Sequence, residues 1–127
     1  MCGKQKFFLC SHCGNIAVLV KNKGVPLMCC GSKMGELESN TVEASTEKHL
    51  PSVELFDGGI AVSVGSIPHP MTDEHSIEFV YVVTENGGQR KCLKPGSEPK
   101  VSFSFADDRP VSVYAYCNLH GLWKTDL

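Results

Sequence analysis

Val111-Ser112-Val113-Tyr114-Ala115-Tyr116-Cys117 alternates small or apolar residues with serine and tyrosine, and Asn118-Leu119-His120-Gly121 follows directly. A period of two is the strand period, so Val111, Val113, Ala115 and Cys117 share one face, which reads as the buried one. The last buried position of this strand is thus a cysteine, with a histidine three residues beyond it. A buried cysteine is ordinarily a packing residue, and a lone histidine is ordinarily a satisfied core or surface group. The pair gains meaning from two stretches upstream, Glu47-Lys48-His49 and Pro68-His69-Pro70-Met71-Thr72-Asp73-Glu74-His75. Four of the chain's five histidines lie in these three stretches.

Outward from the decisive strand, similar runs separated by turn signals cover Val53 to Phe56, Ile60 to Val64, Ile77 to Thr84, Gln89 to Leu93 and Lys100 to Ala106. Asp57-Gly58-Gly59 and Glu85-Asn86-Gly87-Gly88 are the clearest turns between them. No stretch sustains a helical period, so residues 47–127 read as an all-β sandwich of about seven short strands. Its one long loop, Gly65 to Ser76, carries His69 and His75, and long loops in compact β domains tend to be functional. Pro68 and Pro70 fix φ at their own positions and restrict Ile67 and His69 to extended conformations, which leaves the imidazole little entropy to lose on binding.

Upstream lies a second pattern. Cys10-Ser11-His12-Cys13-Gly14-Asn15, a strand-like Ile16 to Lys21, a turn at Asn22-Lys23-Gly24, and Cys29-Cys30-Gly31 read as a knuckle, a hairpin and a closing cysteine pair. Glycine follows both pairs, where the chain must turn tightly for backbone N–H groups to face sulfur. Four thiolates on a short β-ribbon make a tetrahedral site for zinc or iron, and a piece this small needs such a staple to fold. The adjacent pair Cys29-Cys30 departs from the two-residue spacer of most zinc ribbons. His12 reads as solvent-facing. From Glu36 to Thr46 the composition turns polar, so the chain divides into a metal-binding domain over 1–37, a linker over 38–46 and a β domain over 47–127.

The chain has 127 residues, a net charge of −2 and charges of mixed sign, which gives nucleic acid or an anionic membrane no basic face to bind. No apolar run approaches the length of a membrane span, and the N-terminus lacks a secretory pattern. The expected location is the cytoplasm, where seven cysteines are better read as metal ligands than as disulfides.

His49, His69, His75, His120 and Cys117 offer one donor more than tetrahedral zinc takes, whereas an octahedral metal would keep one position open. Charge counting separates the two candidate centres. Ferrous iron with four thiolates carries two negative charges and has no vacancy. Ferrous iron with four neutral imidazoles and one thiolate carries one positive charge and can draw in a small anion. A thiolate ligand pushes electron density onto such a metal and favours passing an electron to a bound oxygen species.

These motifs resemble the desulfoferrodoxin family over nearly the whole length. The resemblance rests on Cys10-Ser-His-Cys13-Gly-Asn, Cys29-Cys30-Gly31, Glu47-Lys48-His49, Gly65-Ser66-Ile67-Pro68-His69-Pro70-Met71, His75, Leu93-Lys94-Pro95-Gly96 and Cys117-Asn118-Leu119-His120-Gly121. It implies a small desulforedoxin-like β domain followed by a seven-stranded immunoglobulin-like sandwich, and two irons per chain. One iron is held by Cys10, Cys13, Cys29 and Cys30 in rubredoxin-like fashion. The other has His49, His69, His75 and His120 in a plane with Cys117 axial. The implied activity is superoxide reductase: one electron and protons convert superoxide to hydrogen peroxide at the open sixth position. Glu47 caps the oxidised iron and Lys48 draws in the anion. A rubredoxin-like electron donor and a homodimer are implied as well.

Two rival readings are an iron electron-transfer protein without an open catalytic site, and a zinc-stabilised β domain that binds a partner. The first leaves Glu47 and Lys48 without a task, and the second leaves five N/S donors where structural zinc needs four. Cys2 and Cys92 match no ligand position; Cys92 is expected to be a packing residue and Cys2 a free thiol.

Overall fold

The computed structural model describes residues 4–42, 44 and 46–127; Cys2 lies outside the described residues. The chain forms two compact units that divide between Glu38 and Ser39.

In the smaller unit, β1 (Phe7–Leu9) pairs antiparallel with β2 (Ile16–Ala17) and with β5 (Gly35–Leu37). A second ribbon joins β3 (Met28–Cys29) to β4 (Ser32–Lys33). Phe7, Cys10 and Met34 are the buried apolar side chains here. The strand expected from Ile16 to Lys21 stops at Ala17, and Val20 and Val25 are exposed. With so few buried groups, the unit matches the expectation of a fold that depends on a staple.

Near the start of the larger unit, the Asn40 side-chain Nδ2 donates to Lys124 O and its Oδ1 accepts from Lys124 N. One turn of helix, α1 (Thr46–His49), precedes the sandwich; a single turn is too short to show as a helical period. Seven strands follow among the described residues. One sheet has the order β10 (Lys100–Ser104), β7 (Gly59–Val64), β6 (Pro51–Phe56). The other has the order β12 (Gly121–Asp126), β11 (Pro110–Cys117), β8 (Ile77–Thr84), β9 (Gly87–Cys92). All pairings are antiparallel. The all-β expectation is met, and β12 is a strand that the alternation alone did not reveal.

The core follows the period of two: Ile60, Val62 and Val64 from β7, Val80 and Val82 from β8, and Val113, Ala115 and Cys117 from β11, closed by Phe103 and Ile77. Cys117 therefore continues a row of fully buried side chains. Opposite it the register slips, since Tyr116 faces Phe79 while Cys117 faces Ile77. Glu78 is the extra residue of this bulge, a device that re-aims side chains near sites. The open side of the sandwich is laced by Gln89 and Lys91, which donate to Ser104 O at 2.9 Å and Ser102 O at 2.6 Å. Cys92 departs from expectation. On edge strand β9 it is exposed, because its register partner Phe79 points away from the core row. No helix among the described residues is long and apolar enough to cross a membrane.

Candidate metal centres

Four segments of the larger unit deliver donor atoms to one point. His49 ends α1, His69 and His75 come from the long loop, Cys117 ends β11, and His120 sits in the three-residue turn that Gly121, at φ +78°, closes onto β12. The donor atoms of His49, His69, His75 and Cys117 all lie within 4.8 Å of one another. His49 Nε2 stands 3.1 Å from His69 Nε2 and 3.1 Å from His120 Nδ1, and Cys117 Sγ is 3.9 Å from that Nδ1. Two nitrogens bound at right angles about 2.1 Å from a common centre would stand about 3 Å apart. The spacing therefore fits a metal.

The rings form a square. Neighbours His49–His69, His69–His75, His75–His120 and His120–His49 have centroids 4.6, 4.7, 5.1 and 4.9 Å apart at 76°, 82°, 76° and 88°, while His49 and His75 face each other across 6.4 Å. His75 Nε2 is buried and has no hydrogen-bond partner among the described residues. An orphaned buried nitrogen is costly unless something binds it.

Second contacts orient the donors. His69 Nδ1 donates to Pro70 O at 2.7 Å, which leaves the Nε2 lone pair free. Trp123 stacks on His49 at 4.9 Å and donates its indole N–H to His120 O at 3.1 Å. Cys117 Sγ accepts from His120 N at 3.4 Å. Glu47 and Lys48, both exposed, sit on α1, which is fastened to the start of the long loop. Ile67 N donates to Glu47 O at 3.0 Å, Ser66 Oγ to the same oxygen at 3.3 Å, and Gly65 N to Leu50 O at 3.0 Å. Gly65, at φ +84°, allows this approach: a Cβ there would lie 2.3 Å from Ile67 O, 2.6 Å from Glu47 O and 2.7 Å from Lys48 Cα.

In the smaller unit Cys10, Cys13, Cys29 and Cys30 have donor atoms within 4.8 Å of one another. Cys13 and Cys29 sulfurs are 3.6 Å apart, and those of Cys29 and Cys30 are 4.0 Å apart. Four sulfurs about 2.3 Å from one centre would stand about 3.8 Å apart. Cys13 N donates to Cys10 Sγ, and Asn15 N to Cys13 Sγ, each at 3.5 Å. Gly14 and Gly31 have φ of +84° and +74°, which supplies the tight turns the sequence calls for. His12 is exposed, as expected.

A family model for desulfoferrodoxin matches residues 41–126. A desulfoferrodoxin of Syntrophotalea carbinolica is 39% identical over 126 residues, 99% of each chain. The chain belongs to the desulfoferrodoxin family. A desulfoferrodoxin homolog of Archaeoglobus fulgidus is 43% identical over 95% of this chain and 96% of its own. Among solved structures, the superoxide reductase from Treponema pallidum aligns with a TM-score of 0.82 at 34% identity, over 98% of this chain and 100% of that one.

The two donor sets of this desulfoferrodoxin-family chain differ in protonation. Burial pushes the His69 imidazole down to about 4. It also lowers His75, with further lowering from His120 and from the Lys48 charge. Burial raises the Cys117 thiol, against the pull of the Leu119 and His120 N–H groups. The four-cysteine set is internally competitive. The Cys13 N–H lowers Cys10 to about 6, whereas hydrogen bonds to Cys13 and Cys10 push Cys30 up to about 12, and Cys10 likewise raises Cys29. Only a cation lets all four ionise together.

All nine expected ligand residues thus fall into two clusters, and Glu47 and Lys48 lie on the turn that ends in His49. Trp123 and Asn118 touch the elements carrying the donors; Asn118 lies within the motif from Cys117 to Gly121 and Trp123 in none, and the motifs give neither a role. Neither type is a metal donor, so spacing carries no signal for them.

Proposed function

We propose that the chain reduces superoxide to hydrogen peroxide, with an iron held by His49, His69, His75, His120 and Cys117. A second, rubredoxin-like iron is held by Cys10, Cys13, Cys29 and Cys30. The observation that carries this reading is the convergence of five N/S donors on one point, with the His75 nitrogen left unpartnered. The catalytic iron, when bound, supplies the one electron that with two protons turns superoxide into hydrogen peroxide.

The chain's own residues do the rest. Four neutral imidazoles and one thiolate leave a ferrous site with net positive charge, which favours an anion. Lys48 is close enough for its charge to depress His75, so it adds attraction over roughly a Debye length of about 8 Å at physiological salt. Its ammonium also holds water from which a proton can be drawn. Glu47, one residue earlier on the same turn, offers a carboxylate that would be available to an oxidised iron held by the histidine set. The buried row that Cys117 continues keeps water from the thiolate side, and Trp123 covers His49.

On this reading residues 1–37 form the desulforedoxin-like domain, 38–46 the linker and 47–127 the reductase domain. The protein works in the cytoplasm as a homodimer fed by a rubredoxin-like donor. Metal analysis and rapid mixing with superoxide under anaerobic conditions test it. The expected result is two irons per chain and one peroxide per superoxide with no dioxygen. Dioxygen release, or natively metallated protein without iron at the histidine set, would overturn it.

A further inference from the structure

We propose that Asn118 is a positioning residue that locks the loop carrying His75 to the hairpin carrying Cys117 and His120. This rests on the metal set just proposed. The β11–β8 ladder ends at the pair Cys117–Ile77. Beyond it, Asn118 N donates to Ser76 O at 3.2 Å, its side-chain Oδ1 accepts from Ser76 N at 3.0 Å, and its Nδ2 donates to Glu74 O at 2.9 Å. A carboxamide has the donor and acceptor of a peptide group, so this side chain continues the ladder past its last residue. The bonds fall on both chain neighbours of His75.

His75 needs this more than the other donors do. Its backbone is already closed into a turn, in which Thr72 N and Oγ1 donate to His75 O at 2.9 and 3.2 Å and His75 N donates to Thr72 Oγ1 at 3.1 Å. That turn is internally rigid, so its position decides where the imidazole points. His69 is further fixed through Pro70 O and His49 by Trp123, whereas the His75 ring is placed through its backbone turn. Asn118 is the side chain that ties the turn to the segment bearing the thiol.

The test compares full-length, iron-loaded parent with Asn118→Ala and Asn118→Asp. Three quantities are read: the rate of iron release from the histidine set to a chelator, the absorption band of that oxidised centre, and the melting of the metal-free protein. Loss of a group hydrogen-bonded directly to a ligand costs about 10–100-fold in metal affinity, and Asn118, which acts through the backbone on either side of His75, is expected at the lower end of that range. Asn118→Ala is expected to release iron at least tenfold faster with a shifted band, while the four-cysteine centre keeps its spectrum. Asn118→Asp, which keeps the bond from Ser76 N but cannot donate to Glu74 O, is expected to fall between. Parental release and band in Asn118→Ala overturn the proposal. Faster release with an unmoved band and a lower metal-free melting point shows a structural role alone and overturns it too. If Asn118→Ala does not fold, parental behaviour in Asn118→Asp is the overturning result. A parent that takes up no metal at the histidine set would instead sink the functional reading on which the proposal rests.

Discussion

Gly65 and Gly58 have nearly the same φ, +84° and +86°, but a Cβ at Gly58 meets nothing within 4 Å while one at Gly65 meets three backbone atoms at 2.3 to 2.7 Å. Replacing each by alanine separates conformational strain from collision. The left-handed region costs an L-residue about 1–2 kcal/mol, and Gly58→Ala should lose about that much. Gly65→Ala carries the same strain plus an overpacking cost of about 1–3 kcal/mol, because backbone at Ile67 and Glu47 cannot rotate away as a flexible side chain could. Trp123, the only tryptophan, lies in the larger unit, so its fluorescence follows unfolding of that unit. At about 4–8 °C per kcal/mol for a domain this size, Gly65→Ala should melt well below Gly58→Ala. The shift has a functional face: the collision pushes on the turn bearing Glu47 and Lys48, so the salt dependence of the superoxide reaction should weaken in Gly65→Ala and stay parental in Gly58→Ala. Equal melting points, or an unchanged salt slope in a destabilised Gly65→Ala, would refute the cradle.

Cys10→Ser is expected to abolish iron binding in the smaller unit while leaving superoxide reduction by the larger unit largely intact; lost activity with the second iron retained would show obligate coupling of the centres. Lys48→Ile should slow the reaction with superoxide and flatten its dependence on ionic strength, and an unchanged rate and slope would remove Lys48 from the mechanism. In metal-free protein, His69 is held neutral by burial at about 4, below its unfolded value of about 6.5. The unfolded state binds the proton first, so this contribution to stability is present above about pH 6.5 and is lost as pH falls towards 4. Denaturant midpoints that stay flat across that window would contradict the assignment.

The alternation of Val113-Ala115-Cys117 and of Val80-Val82 could be read because the rows differ in residue type from their neighbours, although Ser112, Tyr114 and Tyr116 on the other face of β11 are buried as well. β12 escaped because the glycine that starts it reads as a loop signal and only a short run follows. Cys92 misleads for the opposite reason: its run looks like a strand and is one, but an edge strand gives a side chain on its outer face no cover. Donor residues announce themselves by type, so both clusters could be listed from the sequence. What holds them could not. The bulge at Glu78, the cradle at Gly65 and the carboxamide of Asn118 are backbone relations between segments far apart in sequence, and no local period encodes them.

The same donor chemistry predicts that the two centres take up metal with different proton counts. At pH 7 a folded four-cysteine set holds Cys10 as a thiolate but Cys29 raised and Cys30 pushed up to about 12, and in an unfolded metal-free unit all four thiols are mostly protonated, so on either footing a dication entering the smaller unit must expel at least two protons. In the larger unit His69 and His75 are held below their ordinary values and donate as neutral rings without releasing a proton. The raised Cys117 thiol is the one group among these three that must deprotonate. Metal affinity should therefore fall more steeply with acid at the four-cysteine set than at the histidine set over pH 6.5 to 8, since each proton released contributes about tenfold per pH unit. Calorimetric titration of the metal-free chain and of Cys10→Ser, repeated in buffers of different ionisation enthalpy, reads the count directly. Equal proton release at the two sets would mean that the cysteines of the smaller unit are already ionised without metal, and the competition inferred among their sulfurs would be wrong.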